Sequence, residues 1–174
     1  MVAAVVLAAG AASRFGAPKQ ALLLPEVLRR LRRSLVDDVL VVTGAHPLET
    51  DARTVDCPDW ERGPGASLRC GLAALAEDVE AAVVVLADGP DRSPAAVDRV
   101  VGAWRDGAGD IVAASYEGDR GHPVVLGRSV WNRIPDEGAR AFDPALVPCD
   151  DLGTPGDVDI ADEIPGRLRG EPAE

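Results

Sequence analysis

The segment 7–20, LAAGAASRFGAPKQ, gathers residue types that handle phosphate. Gly10 and Gly16 remove side chains, so successive backbone N–H groups can face anionic oxygens. Arg14 adds a planar guanidinium fork and Lys19 a mobile ammonium. Lys19 is the only lysine in the chain, every other Lys/Arg position being arginine. Neither a G-x-x-x-x-G-K-[ST] loop nor a G-x-G-x-x-G fingerprint is present. The plain alternative is a surface connection with two ordinary cations. The apolar run before the loop, the spaced glycines and the sole lysine favour phosphate binding.

Acidic residues supply the second kind of chemistry. Asp88 in LADGPD stands at the carboxyl end of an apolar run, and Gly89 and Pro90 turn the chain after it. Such a carboxylate can ligate Mg²⁺, which takes one or two protein carboxylates and completes its shell with water and phosphate oxygens. Asp88 is equally readable as a turn former, and Asp91 as a cap for the helix near Pro94. In the stretch CDDLGTPGDVDIADE, Asp157 and Asp159 alternate in strand fashion and offer a further metal carboxylate; a solvated acidic face is the competing reading. His46 and His122 lie far apart and no G-x-S-x-G nucleophile motif exists. His122, in RGHPVV, reads as a turn residue within reach of substrate.

These residues need a scaffold. The runs VAAVVL at 2–7, VLVVT at 39–43 and AVVVLA at 82–87 are short and continuously apolar, as central parallel strands are. Helices are predicted at 25–35, opened by Pro25, at 66–75 after Gly63 and Gly65, and at 94–104, opened by Pro94. Weaker strands are predicted at 111–114 and 123–126, a brief helix at 129–134, and a frayed tail. The alternation predicts one α/β domain spanning 1–174: a Rossmann-like, doubly wound, mostly parallel sheet with helices on both faces. Ligands of such sheets lie outside the carboxyl ends of the strands, where both residues 8–20 and Asp88 fall.

Composition narrows the function further. A net charge of -11 and a pI near 4.6 disfavour nucleic acid and anionic membranes as partners, so an anionic ligand must meet a local cationic site. Hydrophobic residues make up 47% but aromatics only 3%, so Val, Leu and Ala build the core. Cys57, Cys70 and Cys149 are scattered and never C-x-x-C, which supports neither a disulfide framework nor a zinc site and points to a reducing cytoplasm. The apolar start lacks a basic flank and is too short to span a bilayer.

Taken together, these segments resemble the MobA-like NTP transferases, and within them the molybdenum cofactor cytidylyltransferases. LAAGAASRFGAPKQ matches L-A-A-G-x-S-x-R-F-G-x-P-K-Q with Ala11 or Ala12 as an extra residue; WERGPGASLRCGLAAL, VVVLADGP, GHPVV and DVDIADEI follow in the family's order. The resemblance implies Mg²⁺-dependent transfer of a nucleoside monophosphate from CTP or GTP to a pterin phosphate, molybdopterin, with pyrophosphate released and a molybdoenzyme as eventual recipient. It implies that Leu7, Ala8, Ala9, Gly10, Ser67 and Gly71 approach the nucleotide. Arg14 and Lys19 would hold its triphosphate, Asp88 and Asp159 the metal, and His122 the acceptor. Ala9, in L-A-A-G, favours CTP; the guanylyl enzymes tend to L-A-G-G. Two departures touch the acceptor: the chain passes almost directly from Gln20 into the Pro25 helix, and Gly89 replaces the usual Gln or Met, which would enlarge the acceptor pocket. Competing readings are sugar-phosphate or phospholactate nucleotidyl transfer, a glycosyltransferase using Asp157-Val158-Asp159 as D-x-D, and a binding module without turnover.

Overall fold

The computed structural model describes residues 1–11 and 19–153. Seven strands form one sheet: β1 (Val2–Leu7), β2 (Asp38–Thr43), β3 (Arg53–Asp56), β4 (Ala81–Leu86), β5 (Ile111–Tyr116), β6 (Asp119–Gly127) and β7 (Ala145–Pro148), in the spatial order 3-2-1-4-6-5-7. β1 pairs in parallel with β2 on one side and β4 on the other, with Leu7 opposite both Val42 and Leu86. Only β6 runs antiparallel among the described strands. The sheet is Rossmann-like and mostly parallel, and its strand order reverses between β1 and β4. The crevice outside the carboxyl ends of those two strands is the ligand position of such folds.

Side-chain parity explains how the helices cover the sheet. Val2, Ala4 and Val6 face α1 (Lys19–Leu31) and α3 (Pro94–Arg105), packing against Leu24, Val27, Leu28, Val97 and Val101. Ala3 and Val5 face α2 (Pro64–Ala73) and meet Leu68 and Leu72. Both faces of β1 are therefore dry, which is why its sequence is apolar without alternation. Among the described residues no helix is long and apolar enough to cross a membrane.

The first helix departs from its predicted 25–35 span. It starts at Lys19 and ends at Leu31, so Pro25 lies inside it and Leu35 beyond it, 60% exposed. Buried Gln20, Leu23, Leu24, Val27, Leu28 and Leu31 make one helical stripe that runs through the proline, whose ring is on the exposed face. An interior proline costs about 3 kcal/mol, and burying Leu23 and Leu24 at about 1.5–3 kcal/mol each offsets it. Strands β3 and β7 escaped prediction because they are four-residue edges with mostly exposed side chains. β5 and β6 extend past their predicted spans into a hairpin whose two loop residues, Glu117 (φ 54) and Gly118 (φ 86), take the left-handed conformations a tight primed turn requires. The predicted 129–134 helix is a 3₁₀ turn, Arg128–Arg133.

A charged network joins α1 to the segment after β4. Buried Glu26 accepts hydrogen bonds from Arg29 Nε and Nη2, both at 2.7 Å, and from Arg30 Nε at 2.8 Å. Arg30 reaches on to the Asp91 carbonyl at 3.2 Å and carboxylate at 3.3 Å. The Arg29 bond, ahead of Arg30, outweighs desolvation and holds the Glu26 carboxyl down at about 2. A depressed carboxylate stabilises the fold above the ordinary carboxyl range and loses that contribution as pH falls toward the folded value. Glu26→Gln is therefore expected to lower unfolding free energy by about 2 kcal/mol at neutral pH. Urea unfolding should show the gap between variant and wild type closing between about pH 4.5 and 2.

Candidate active site

At the carboxyl end of β1 the chain leaves the sheet by a ladder of backbone bonds. Leu7 O accepts from Ala87 N at 3.1 Å, Ala8 N donates to Val42 O at 3.0 Å, and Ala9 O accepts from Ala45 N at 2.9 Å. Leu7, Ala8 and Ala9 are thus held between the segments after β2 and β4. Gly10 O then accepts from Gln20 Nε2 at 3.0 Å, tying the loop's start to α1, and the His46 ring nitrogen Nε2 lies 3.1 Å from Ala11 O. Among the described residues a Cβ at Gly10 would meet only the Gln20 amide, at 3.9 Å. Gln20 closes the matched segment 7–20 without a role read from it, and His46 stands in no motif; their contribution follows from the contacts they make with Gly10 and Ala11.

Across the crevice Asp88 stands two residues past the end of β4. Its Oδ2 lies 3.0 Å from Lys19 Nζ, and the two side chains are 25% and 11% exposed. The other carboxylate oxygen, Oδ1, is buried and has no hydrogen-bond partner among the described residues. Such an oxygen is costly to leave unmatched. A carboxylate oxygen of this kind is a hard donor that can ligate a divalent cation such as Mg²⁺, which brings its remaining ligands as water and phosphate. No cluster of three or more His, Cys, Asp or Glu that could hold a metal occurs among the described residues. Arg14, Asp157 and Asp159 lie outside the described residues.

A cleft of about 210 Å³ opens on the α2 face at Leu7 and Leu86, the last residues of β1 and β4. Leu7, Leu86 and His122 line it, with Pro64 and Leu68 of α2 on one side and the 3₁₀ turn Gly138–Ala141 on another. Arg120 fixes that turn, donating from Nη1 to Phe142 O at 2.7 Å and from Nη2 to Ala139 O at 2.9 Å. Burial first, then the charges of Arg92 and Arg120, push the His122 imidazole down to about 3. His122 is therefore neutral at physiological pH, able to donate or accept a hydrogen bond but not to carry positive charge.

Three predicted positions look different in the fold. At Gly89 the missing side chain makes room for Arg92, whose guanidinium lies over it: a Cβ there would come 2.6 Å from Arg92 Nη2. Arg92, only 4% exposed, had no sequence signal because it reads as an ordinary charge before Ser93. Ser67 is buried in α2, where the cleft-lining residues are Pro64 and Leu68. Gly71 faces the sheet, and a Cβ there would lie 2.6 Å from Val5 Cγ1 and 2.8 Å from Val42 Cγ2. Close helix-to-sheet approach accounts for this glycine. Gly71→Ala should reduce stability by about 1–3 kcal/mol, the cost of overpacking, despite alanine's better helix propensity; chemical denaturation measures it.

Comparison with known proteins follows the same outline. The family model described as the MobA-like NTP transferase domain matches residues 4–143. Rv0371c of Mycobacterium tuberculosis superposes with a TM-score of 0.77 at 27% identity, covering 97% of this chain and 98% of that one. Its complex with manganese gives 0.72 at 25% identity over 98% and 99%. A nucleotidyl transferase from Methanothermobacter gives 0.62 at 22% identity over 79% and 78%, a likeness of fold. No curated protein matches the chain in sequence.

Proposed function

Because the chain belongs to the MobA-like NTP transferase family and is a nucleotidyltransferase, we propose that it transfers CMP from CTP to the phosphate of molybdopterin and releases pyrophosphate. The reading extends to Mg²⁺ as the cofactor, a cytoplasmic setting, a single domain, and a molybdoenzyme that receives the product. The observation that carries it is the 3.0 Å pairing of Lys19 with Asp88 across the β1/β4 crevice, with one Asp88 oxygen that meets no hydrogen-bond partner among the described residues. The manganese complex of Rv0371c supports a divalent cation. The L-A-A-G form of residues 7–10 supports CTP.

An oxygen of the acceptor phosphate attacks the α-phosphorus, and the bond to the departing pyrophosphate breaks. The attacking oxygen is already anionic at neutral pH, so no protein base is required. That agrees with a neutral His122, held at about 3 and suited to hydrogen-bonding the acceptor rather than taking its proton. The backbone N–H groups of Ala9 and Gly10 orient the phosphates, and Lys19, joined by Arg14, balances charge on the leaving pyrophosphate. Asp88 is the described carboxylate that would hold Mg²⁺, with Asp159 as a second ligand. The cation, when bound, supplies Lewis-acid polarisation of the phosphoryl oxygens.

Pyrophosphate release, assayed with four nucleotides, Mg²⁺ and molybdopterin, should appear with CTP and acceptor together. Equal release with GTP would remove the nucleotide assignment, and release only with sugar phosphates or phospholactate would replace the acceptor. Lys19→Ala should lower turnover by about 10²–10³-fold, the scale for one preorganised charge donor. An unchanged rate in that variant would sink the role given to the ion pair.

A further inference from the structure

Cys57 and Cys70 read as unrelated thiols in sequence, yet the fold brings them together. Cys57 follows β3, is fully buried, and is fixed by its backbone N–H donating to Thr43 O at 2.8 Å. Cys70 projects from α2 and is only partly buried. Their sulfurs are 2.7 Å apart, inside the contact distance of two unbonded sulfurs and not far beyond the about 2.05 Å of a disulfide. Cys149 belongs to the core on the opposite face of the sheet and cannot join either.

We propose that Cys57 and Cys70 form an oxidative modification site that a hydroperoxide converts to an intramolecular disulfide, stapling α2 to the end of β3. Cys70, the accessible sulfur, attacks the peroxide as thiolate, giving a sulfenic acid and water. Cys57 then displaces the hydroxyl as a second water, so two thiols and one hydrogen peroxide yield one S–S bond and two waters. Two hydrogens and two electrons pass to the peroxide. Both backbones already hold the sulfurs in place, so the bond forms with little rearrangement. The segment it closes carries Trp60, which lies against Gly44, and Pro64 and Leu68, which line the cleft. The staple therefore braces one wall of the site without using any residue given a part in transfer. Burial, followed by the bond to Cys57, pushes the Cys70 thiol up to about 11, which makes the reaction slow at neutral pH and faster in alkali.

The test uses the reduced full chain exposed to hydrogen peroxide across pH 7–10. Titratable thiols should fall from three to one, leaving Cys149, with a rate that climbs roughly tenfold per pH unit. Trypsin without reductant should release peptide 54–62 linked to peptide 70–92, since Arg53, Arg62, Arg69 and Arg92 bound them. The melting temperature should rise by roughly 6–12 °C, as expected for closing a loop of this length, and return on reduction. Cys70→Ser, at the less buried position, should fold and give no linked peptide. Persistence of three thiols, a linkage involving Cys149, covalent dimers through Cys70, or a lowered melting temperature would each overturn the proposal.

Discussion

Lys19 and Asp88 reach one another from opposite sides of the place where the sheet reverses its winding, and most of the architecture serves that meeting. Their charges lie 3.0 Å apart in a partly buried setting. There the direct attraction is on the order of 5 kcal/mol, set against the cost of drawing both groups from water. Neither group is held by its own loop alone. Lys19 is fixed as the first residue of a helix whose Leu23–Leu24–Val27–Leu28 stripe is buried, and Asp88 by a strand with no exposed face. The Glu26–Arg30–Asp91 network braces the same two elements a second time.

On the proposed reading, the surroundings explain why a polyanion would be drawn to the crevice that holds Lys19. With a net charge of -11, the surface as a whole repels phosphate, so attraction is confined to where cations are concentrated. Arginine elsewhere is mostly committed: Arg120 to carbonyls of the turn beside the cleft, Arg69 to Asp136, Arg99 to Asp151. Lysine, with its compact mobile ammonium, is spent once, at the crevice.

Small residues set how closely the layers approach. Gly71 lets α2 lie against Val5 and Val42, and Gly65 removes a side chain that would overlap the Pro135 carbonyl. Both bring α2 and the following 3₁₀ turns to opposite sides of the cleft. Gly44 does likewise for Trp60 and Ala9, both of which a Cβ there would crowd. A chain poor in aromatics thereby obtains a well-defined site from close backbone contacts.

The sequence by itself determined the central strands, the α/β class, the placement of residues 7–10 and Asp88 at one edge of the sheet, and α3, because continuous apolar runs and proline or glycine punctuation are local records of burial. It also carried the family resemblance, since those motifs are contiguous. Only the tertiary structure decided that Lys19 touches Asp88, that Gln20 and His46 secure the loop, that Arg92 fills the space above Gly89, and that Cys57 meets Cys70. The start of α1 and the edge strands β3 and β7 belong with these. Periodicity reports which side of an element is buried, not what lies against it, and an edge strand is defined by hydrogen bonds to a neighbour rather than by its own side chains.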